Sequence, residues 1–180
     1  MTVSEQKKEP RDFFGEVLSQ IGKVTVEQVA TLLKRTNTSV AVAESLTGGL
    51  ISERLTTVAG STDFFVGGVV CYSNRSKVTE VGVPAKLISQ HGQVSREVAV
   101  SMAESIRRRM KSDVGLSATG YAGPGTGGEK GPVGLTYVAL ASAEGTEWKE
   151  LHLSGSRQEI RTQAAQAALG LLWFYLGGDK

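Results

Sequence analysis

One cysteine, Cys71, stands in 180 residues. An internal disulfide needs two thiols and a cysteine-rich zinc site needs more, so both are excluded. Cys71 sits in the apolar run Val69-Val70-Cys71-Tyr72, where a free cysteine acts as a small buried hydrophobe. Histidine is almost as scarce: His91 and His152 are the only two. That leaves a Ser–His–Asp triad short of partners and gives no cluster of histidines and acids to hold a metal. His152 falls in the alternating run Trp148, Glu150, His152 and reads as a sheet or surface residue. His91, between Gln90 and Gly92, reads first as a loop donor, although it could reach a site. No apolar run approaches the roughly 20 residues that span a bilayer. Met1 to Arg11 is charged and lacks an apolar signal region, so a cytoplasmic location and no membrane partner are expected. Excess charge is missing too. Twenty Lys and Arg face 18 Asp and Glu, a formal net charge of +2, which argues against an extended nucleic-acid surface. The cluster Arg107-Arg108-Arg109-Lys111 reads as the polar side and C-terminal end of a helix, where cations are favoured.

What remains is an ordinary globular composition, 40% hydrophobic and 21% charged, in a length that suits one domain with one sizeable core. Residues 1–10 read as a disordered tail ending at Pro10, with a single domain over 11–180. Two short helices are expected at about 11–21 and 25–36, the second capped by Thr25. Strand one covers 38–43, and a helix after Ser45 runs to about 58. Strand two is Phe64 to Tyr72, with Gly67-Gly68 where something packs close. Ser73-Asn74-Arg75-Ser76-Lys77 leaves it as a polar loop or helix start. Ser95 caps a helix carrying Val98, Ala99, Met102, Ala103, Ile106 and Met110. Strand three is Asp113 to Ala118. Strands four and five (133–141 and 146–153) meet at the tight turn Glu144-Gly145, and a last helix covers about 157–176. Strands alternating with helices, plus one late hairpin, give an α/β sandwich with a mixed sheet of about five strands. Sites in such sheets gather beyond the carboxyl ends of the parallel strands, here Ser45, Tyr72 and Thr119.

The most informative segment is Ala41-Val-Ala-Glu-Ser-Leu-Thr-Gly-Gly49. An apolar strand stops at Glu44-Ser45, and Gly48-Gly49 open an amphipathic helix through Leu50, Ile51, Leu55 and Val58. A strand-to-helix turn gathers unpaired N–H groups and the positive end of a helix dipole, so anions or oxyanions are expected there. The simpler reading is that Ser45 or Thr47 caps the helix. The loop Gly120-Tyr-Ala-Gly-Pro-Gly-Thr-Gly-Gly-Glu-Lys-Gly-Pro-Val-Gly134 contains a G-x-G-x-x-G pattern at Gly123, Gly125 and Gly128. It leads into a strand rather than a helix, and no Gly-Lys-Ser/Thr closes it, so the Rossmann and P-loop readings both fail. Backbone donors remain, with Lys130 available to a phosphate. No G-x-S-x-G, S-x-x-K or H-E-x-x-H motif occurs. A hydroxyl-plus-lysine logic survives: Lys77 follows Tyr72 by five residues, and a buried lysine can act as base for a serine. Arg157 and Arg161, four apart, share a helical face and could hold a phosphate.

Taken together, Ala43-Glu-Ser-Leu-Thr-Gly-Gly49, Tyr72-Ser-Asn74 with Lys77, His91-Gly-Gln-Val-Ser95, and Thr119-Gly-Tyr-Ala-Gly-Pro124 with Pro132-Val-Gly134 resemble the CinA C-terminal domain family. The match runs from about residue 25 to 176. The resemblance implies a three-layer α/β/α fold, the stand-alone form of the family, and metal-free hydrolysis of the carboxamide of nicotinamide mononucleotide in pyridine-nucleotide salvage. It implies Ser45 as nucleophile, Tyr72 and Lys77 as its activating partners and Thr119 as a hydroxyl at the site. Substrate contacts are expected from Thr47, Gly48, Gly49, Gly120, Gly123 and Arg157 or Arg161. No cofactor is implied, and a homo-oligomer is expected. Many relatives have Cys where Leu46 stands, which leaves Ser45 as the nucleophile. The competing expectation is a nucleotide-binding regulatory module, linked to competence or damage, without turnover. Ser45, Tyr72, Lys77 and Thr119 together favour the enzyme, because a binder needs no nucleophile and base.

Overall fold

The computed structural model describes residues 23–124 and 131–178; the expected tail, the expected helix at 11–21 and Lys130 lie outside them. In chain order the elements are α1 (Val26–Arg35), β1 (Val40–Glu44), α2 (Leu50–Thr57), β2 (Phe65–Val70), α3 (Asn74–Ser76) continuing into a π turn (Lys77–Val81), α4 (Ala85–His91), α5 (Arg96–Met110), β3 (Val114–Gly120), β4 (Leu135–Ala141), β5 (Thr146–His152) and α6 (Arg157–Tyr175). Side-chain caps start several helices where the local sequence supplies a hydroxyl. Thr25 and Gln28 form a capping box on α1, Ser156 and Glu159 on α6, and Ser95 accepts from the Val98 N–H on α5. Each such cap stabilises its helix by about 1 kcal/mol.

The sheet order is β2-β1-β3-β4-β5. β1 pairs parallel to β2 and β3, and the late hairpin adds β4 and β5 antiparallel. Because β2 lies on one side of β1 and β3 on the other, the strand order switches sides at β1, and a crevice opens beyond its carboxyl end.

The period-2 alternation of strands sorts side chains between the two helical layers. Val40 and Val42, with Leu116, Ala118, Val138 and Leu140, pack against α1, α2 and α6. Ala41 and Ala43 face the opposite way, into a cluster with Cys71, Val81, Ile88, Val98, Met102 and Ile106. The second face is built from small residues so that α5 can approach closely. A Cβ on Gly115 would collide with the Ala103 carbonyl oxygen, and Ser117 donates to the Ala99 carbonyl at 2.7 Å. The result is the expected three-layer α/β/α sandwich with a mixed five-stranded sheet.

Candidate active site

The same alternation sends Glu44 and Ser45, neighbours in sequence, to opposite faces of the sheet. Glu44 continues the Val40, Val42 series and turns toward α2. Its Oε2 accepts from the Gly49 and Ile51 N–H groups at 3.0 and 3.1 Å, and its Oε1 from the Ser52 N–H and hydroxyl at 2.9 and 2.7 Å. Two sequence expectations are corrected by this. Neither Ser45 nor Thr47 caps α2, whose N-cap is Gly49 at φ +103° with no side-chain cap bond of its own. Nor is that helix end open to an incoming anion, since a carboxylate of the chain already occupies it.

Ser45 continues the Ala41, Ala43 series toward the second layer, where Lys77 meets it. Ser73 caps α3 in a box with Ser76, and Lys77 then opens the π turn with its side chain directed back at the sheet. Its Nζ donates to Ser45 Oγ at 2.9 Å and to the Cys71 carbonyl at 3.2 Å. Lys77 is completely buried and Ser45 is 7% exposed. Cys71 shares this setting. Burial pushes its thiol up from 9.0 to about 11, against the lowering influence of Lys77 beside it.

A cavity of about 260 Å³ opens in front of Ser45. It is lined by Ser45, Leu46 and Tyr72, by Gln93 and Val94 from the turn before α5, by Gly120 to Pro124, and by Arg157. Arg157 enters because β5 runs back to the same edge and α6 starts there. Its guanidinium donates to the Tyr72 hydroxyl and to the Gly123 carbonyl, each at 2.6 Å, and so spans the cavity rim. Gly120 has no room for a side chain: a Cβ there would come within 2.7 Å of the Leu135 carbonyl and 2.9 Å of Leu46. The N–H groups of Leu46 and Thr47 make no hydrogen bond among the described residues. They are the donors left over in the turn after Glu44 and Ser45 have taken theirs.

The remaining expected residues support the cavity instead of lining it. Arg161 is spent on the turn itself, donating to the Leu46 and Thr47 carbonyls at 3.1 and 2.9 Å. Of the two arginines left open by the sequence, Arg157 is therefore the one that faces the cavity. Thr119 is buried and donates to the Gln93 carbonyl at 2.9 Å, fixing the 92–95 turn. Thr47, Gly48 and Gly49 form the turn behind Ser45; Gly48, at φ +61°, lies against the Arg161 guanidinium. His91 lies 3.7 Å from Glu97, and His152 bonds Glu150 at 2.9 Å. Among the described residues no three His, Cys, Asp or Glu cluster as metal ligands, and no helix is long and apolar enough to cross a membrane.

Sequence reasoning missed Gln93, Val94 and Tyr121 as cavity residues and Glu44 as the cap of α2. Glu44 did carry a signal: an acid closing an apolar strand, at a position whose alternation buries it.

Known proteins resemble this chain in sequence and in fold. The model of the CinA C-terminal domain matches residues 23–176. A CinA-like protein of Koribacter versatilis is 44% identical over 156 residues, 87% of this chain and 38% of its own length. A putative competence-damage inducible protein of Caldanaerobacter subterraneus is 41% identical over 179 residues, 99% of this chain and 43% of its own length. The chain thus spans about two fifths of these relatives. Among solved structures, a competence-damaged protein (CinA) superfamily protein of Klebsiella pneumoniae superposes with a TM-score of 0.82 at 27% identity, covering 85% of this chain and 96% of that one. The competence/damage inducible protein CihA of Agrobacterium tumefaciens gives 0.77 at 32% identity, covering 96% and 99%. With the family model matching nearly all the described residues, the chain belongs to the CinA C-terminal domain family.

Proposed function

We propose that the chain hydrolyses the carboxamide of nicotinamide mononucleotide to nicotinate mononucleotide and ammonia, as a step of pyridine-nucleotide salvage. The observation that carries this reading is the 2.9 Å contact between a fully buried lysine amine and the hydroxyl of a serine facing a cavity. A lysine placed behind a serine, out of solvent, has no use in simple binding. It suits a nucleophile and its base.

With Lys77 as the free amine, Ser45 Oγ attacks the carboxamide carbon while Nζ takes its proton. The carbonyl electrons move onto oxygen, where the unpaired N–H of Leu46, a residue of the cavity wall, is the available donor. Collapse of this tetrahedral species breaks the C–N bond. Lys77 returns the proton to the departing nitrogen, which leaves as ammonia, and an ester remains on Ser45. Water, deprotonated by the same amine, then adds to the ester carbon; collapse breaks the C–O bond to Ser45, Lys77 returns the proton to Ser45 Oγ, and the released acid ionises to the carboxylate product. The phosphate of the substrate is assigned to Arg157, with Tyr72 aligning it, and the aromatic and apolar wall of Tyr121, Ala122 and Leu46 suits the flat ring.

The test is ammonia release from nicotinamide mononucleotide by the purified chain in the presence of EDTA. Steady turnover that Ser45→Ala abolishes is expected. No ammonia release under any condition sinks the enzyme reading, and activity lost to EDTA but restored by zinc sinks the metal-free mechanism.

A further inference from the structure

Among the described residues, Glu44 and Lys77 are the only Asp, Glu, Lys or Arg side chains that are buried. The mechanism above uses Lys77 and leaves Glu44 without a task. Burying a carboxylate costs several kcal/mol unless hydrogen bonds replace its water. Glu44 is fully compensated: four donors, two on each oxygen, all from the first residues of α2 and the turn before it. A neutral serine or threonine at the usual cap position would satisfy that helix end by about 1 kcal/mol without burying a charge. The position of the charge, one residue before Ser45, therefore calls for an explanation.

We propose that Glu44 is a positioning residue for Ser45, on the reading of Ser45 as nucleophile given above. Its backbone belongs to β1 while its carboxylate grips α2, so both ends of the 45–49 turn are tied to one side chain. Its carbonyl binds the same network, accepting from the Cys71 N–H at 2.7 Å, and the Cys71 carbonyl in turn accepts from Lys77. Strand β2 is shaped for this grip. A Cβ on Gly68 would collide with Ser52 Oγ, the hydroxyl that gives Glu44 its shortest bond. Held in this way, the turn keeps Ser45 Oγ against Lys77 Nζ and leaves the N–H of Leu46, on the cavity wall, as the donor facing a developing oxyanion. Glu44 also closes the α2 terminus to substrate anions, so the phosphate is left to Arg157.

Glu44→Gln keeps the shape but presents an NH2 group to two donors, which must loosen the turn. Glu44 does not line the cavity, so substrate binding should survive. The expected result is a kcat lower by about 10²-fold, as small misplacement of a reacting group produces, with KM within about threefold. Ser52→Ala, which removes one of the four bonds, should lower kcat by roughly 3- to 10-fold with KM unchanged, and it decides the matter if Glu44→Gln does not fold. A purely structural Glu44 would lower the melting temperature while kcat per folded molecule stayed at the wild-type value, and that result overturns the proposal. A second arm needs no substrate: the amide NMR signals of Ser45, Leu46 and Thr47 should shift in either folded variant while those of Val42 and Leu116 stay put. Unmoved turn signals overturn the role of Glu44 alone, whereas a wild type that releases no ammonia overturns the deamidase reading alone.

Discussion

Strand β1 has a serine bound to an ionisable residue at each end, and the two pairs do opposite work. At the amino end, Ser39 donates its N–H and hydroxyl to the Asp113 carboxylate at 2.8 and 2.6 Å, and the Asp113 N–H returns a bond to Ser39 Oγ at 3.0 Å. These hydrogen bonds hold the Asp113 carboxyl below the usual aspartate range. Asp113 is exposed, so water and salt screen whatever the pair contributes. At the carboxyl end, Ser45 and Lys77 are just as close but buried, and the strand order there turns away from β1 in two directions. A screened pair clasps two strands. A pair removed from water beside a cavity has the makings of chemistry.

Substitutions at the two ends should separate these roles. The largest effect is expected for Ser45→Ala: a kcat loss on the order of 10³-fold or more with substrate binding nearly intact, as removal of a nucleophile within a catalytic unit gives. Ser39→Ala should leave kcat unchanged. Steady-state kinetics on both variants tests the contrast, and near-wild-type turnover by Ser45→Ala would erase it.

Lys77 comes next. Arginine keeps the charge but does not deprotonate, so Lys77→Arg should be nearly as damaging as Lys77→Ala. An active Lys77→Arg variant with the wild-type pH profile would remove the base role and leave Lys77 as an anion partner. Circular dichroism must accompany the kinetics, because the larger side chain enters a filled core.

The two arginines of α6 offer a finer contrast. Arg157→Ala should raise KM by about tenfold or more while kcat holds, since a charge-assisted bond is worth roughly 1.5–3 kcal/mol. Arg161→Ala should instead lower kcat and the melting temperature, because it releases the Leu46 and Thr47 carbonyls.

Smaller effects concern stability against pH. The folded Cys71 thiol titrates at about 11, against 9.0 when unperturbed. Between those values the native state holds a proton that the unfolded chain has lost, so stability should fall as pH rises through this window, by roughly 2–3 kcal/mol in all. Urea melts of the wild type and Cys71→Ala at pH 8.5 and 10.5 isolate that contribution as the difference between the two proteins. Asp113 works in the other direction. Its folded carboxyl titrates below its unfolded value, so its contribution is present above the usual aspartate range and fades as pH falls through the folded pKa. Exposure limits the loss in Asp113→Asn to less than about 1 kcal/mol, measured by urea melts at neutral pH.

Much of this could be read from local pattern. Alternation and helical spacing place β1, α2, α5 and α6 within a few residues of their positions, because those patterns record which face each element buries. Thr25 and Ser95 were readable as caps, since a cap bond spans only three residues. The glycines of β2 announced a close approach, and Gly68 has one against Ser52. Ser45, Tyr72 and Thr119 were legible as neighbours because parallel strands bring their carboxyl ends together. The reading of Ser45 or Thr47 as the α2 cap failed because a side chain five to eight residues from its donors took the role. Nothing in local spacing separates Arg157 from Arg161 either. One turn of helix decides which faces the cavity and which ties down the turn.

The sequence by itself determined the order and type of the five strands and of α1, α2, α5 and α6, the exclusion of disulfide and cysteine-rich metal chemistry, and the small set of hydroxyls and cations able to meet at one sheet edge. Those depend on residue chemistry and on interactions between near neighbours in the chain. The tertiary structure alone decided that Lys77 reaches Ser45 across 32 positions, that Glu44 rather than a ligand fills the end of α2, and that Arg157 crosses 85 positions to Tyr72. Each of these contacts depends on burial and on strand register, which exist only once the layers have packed.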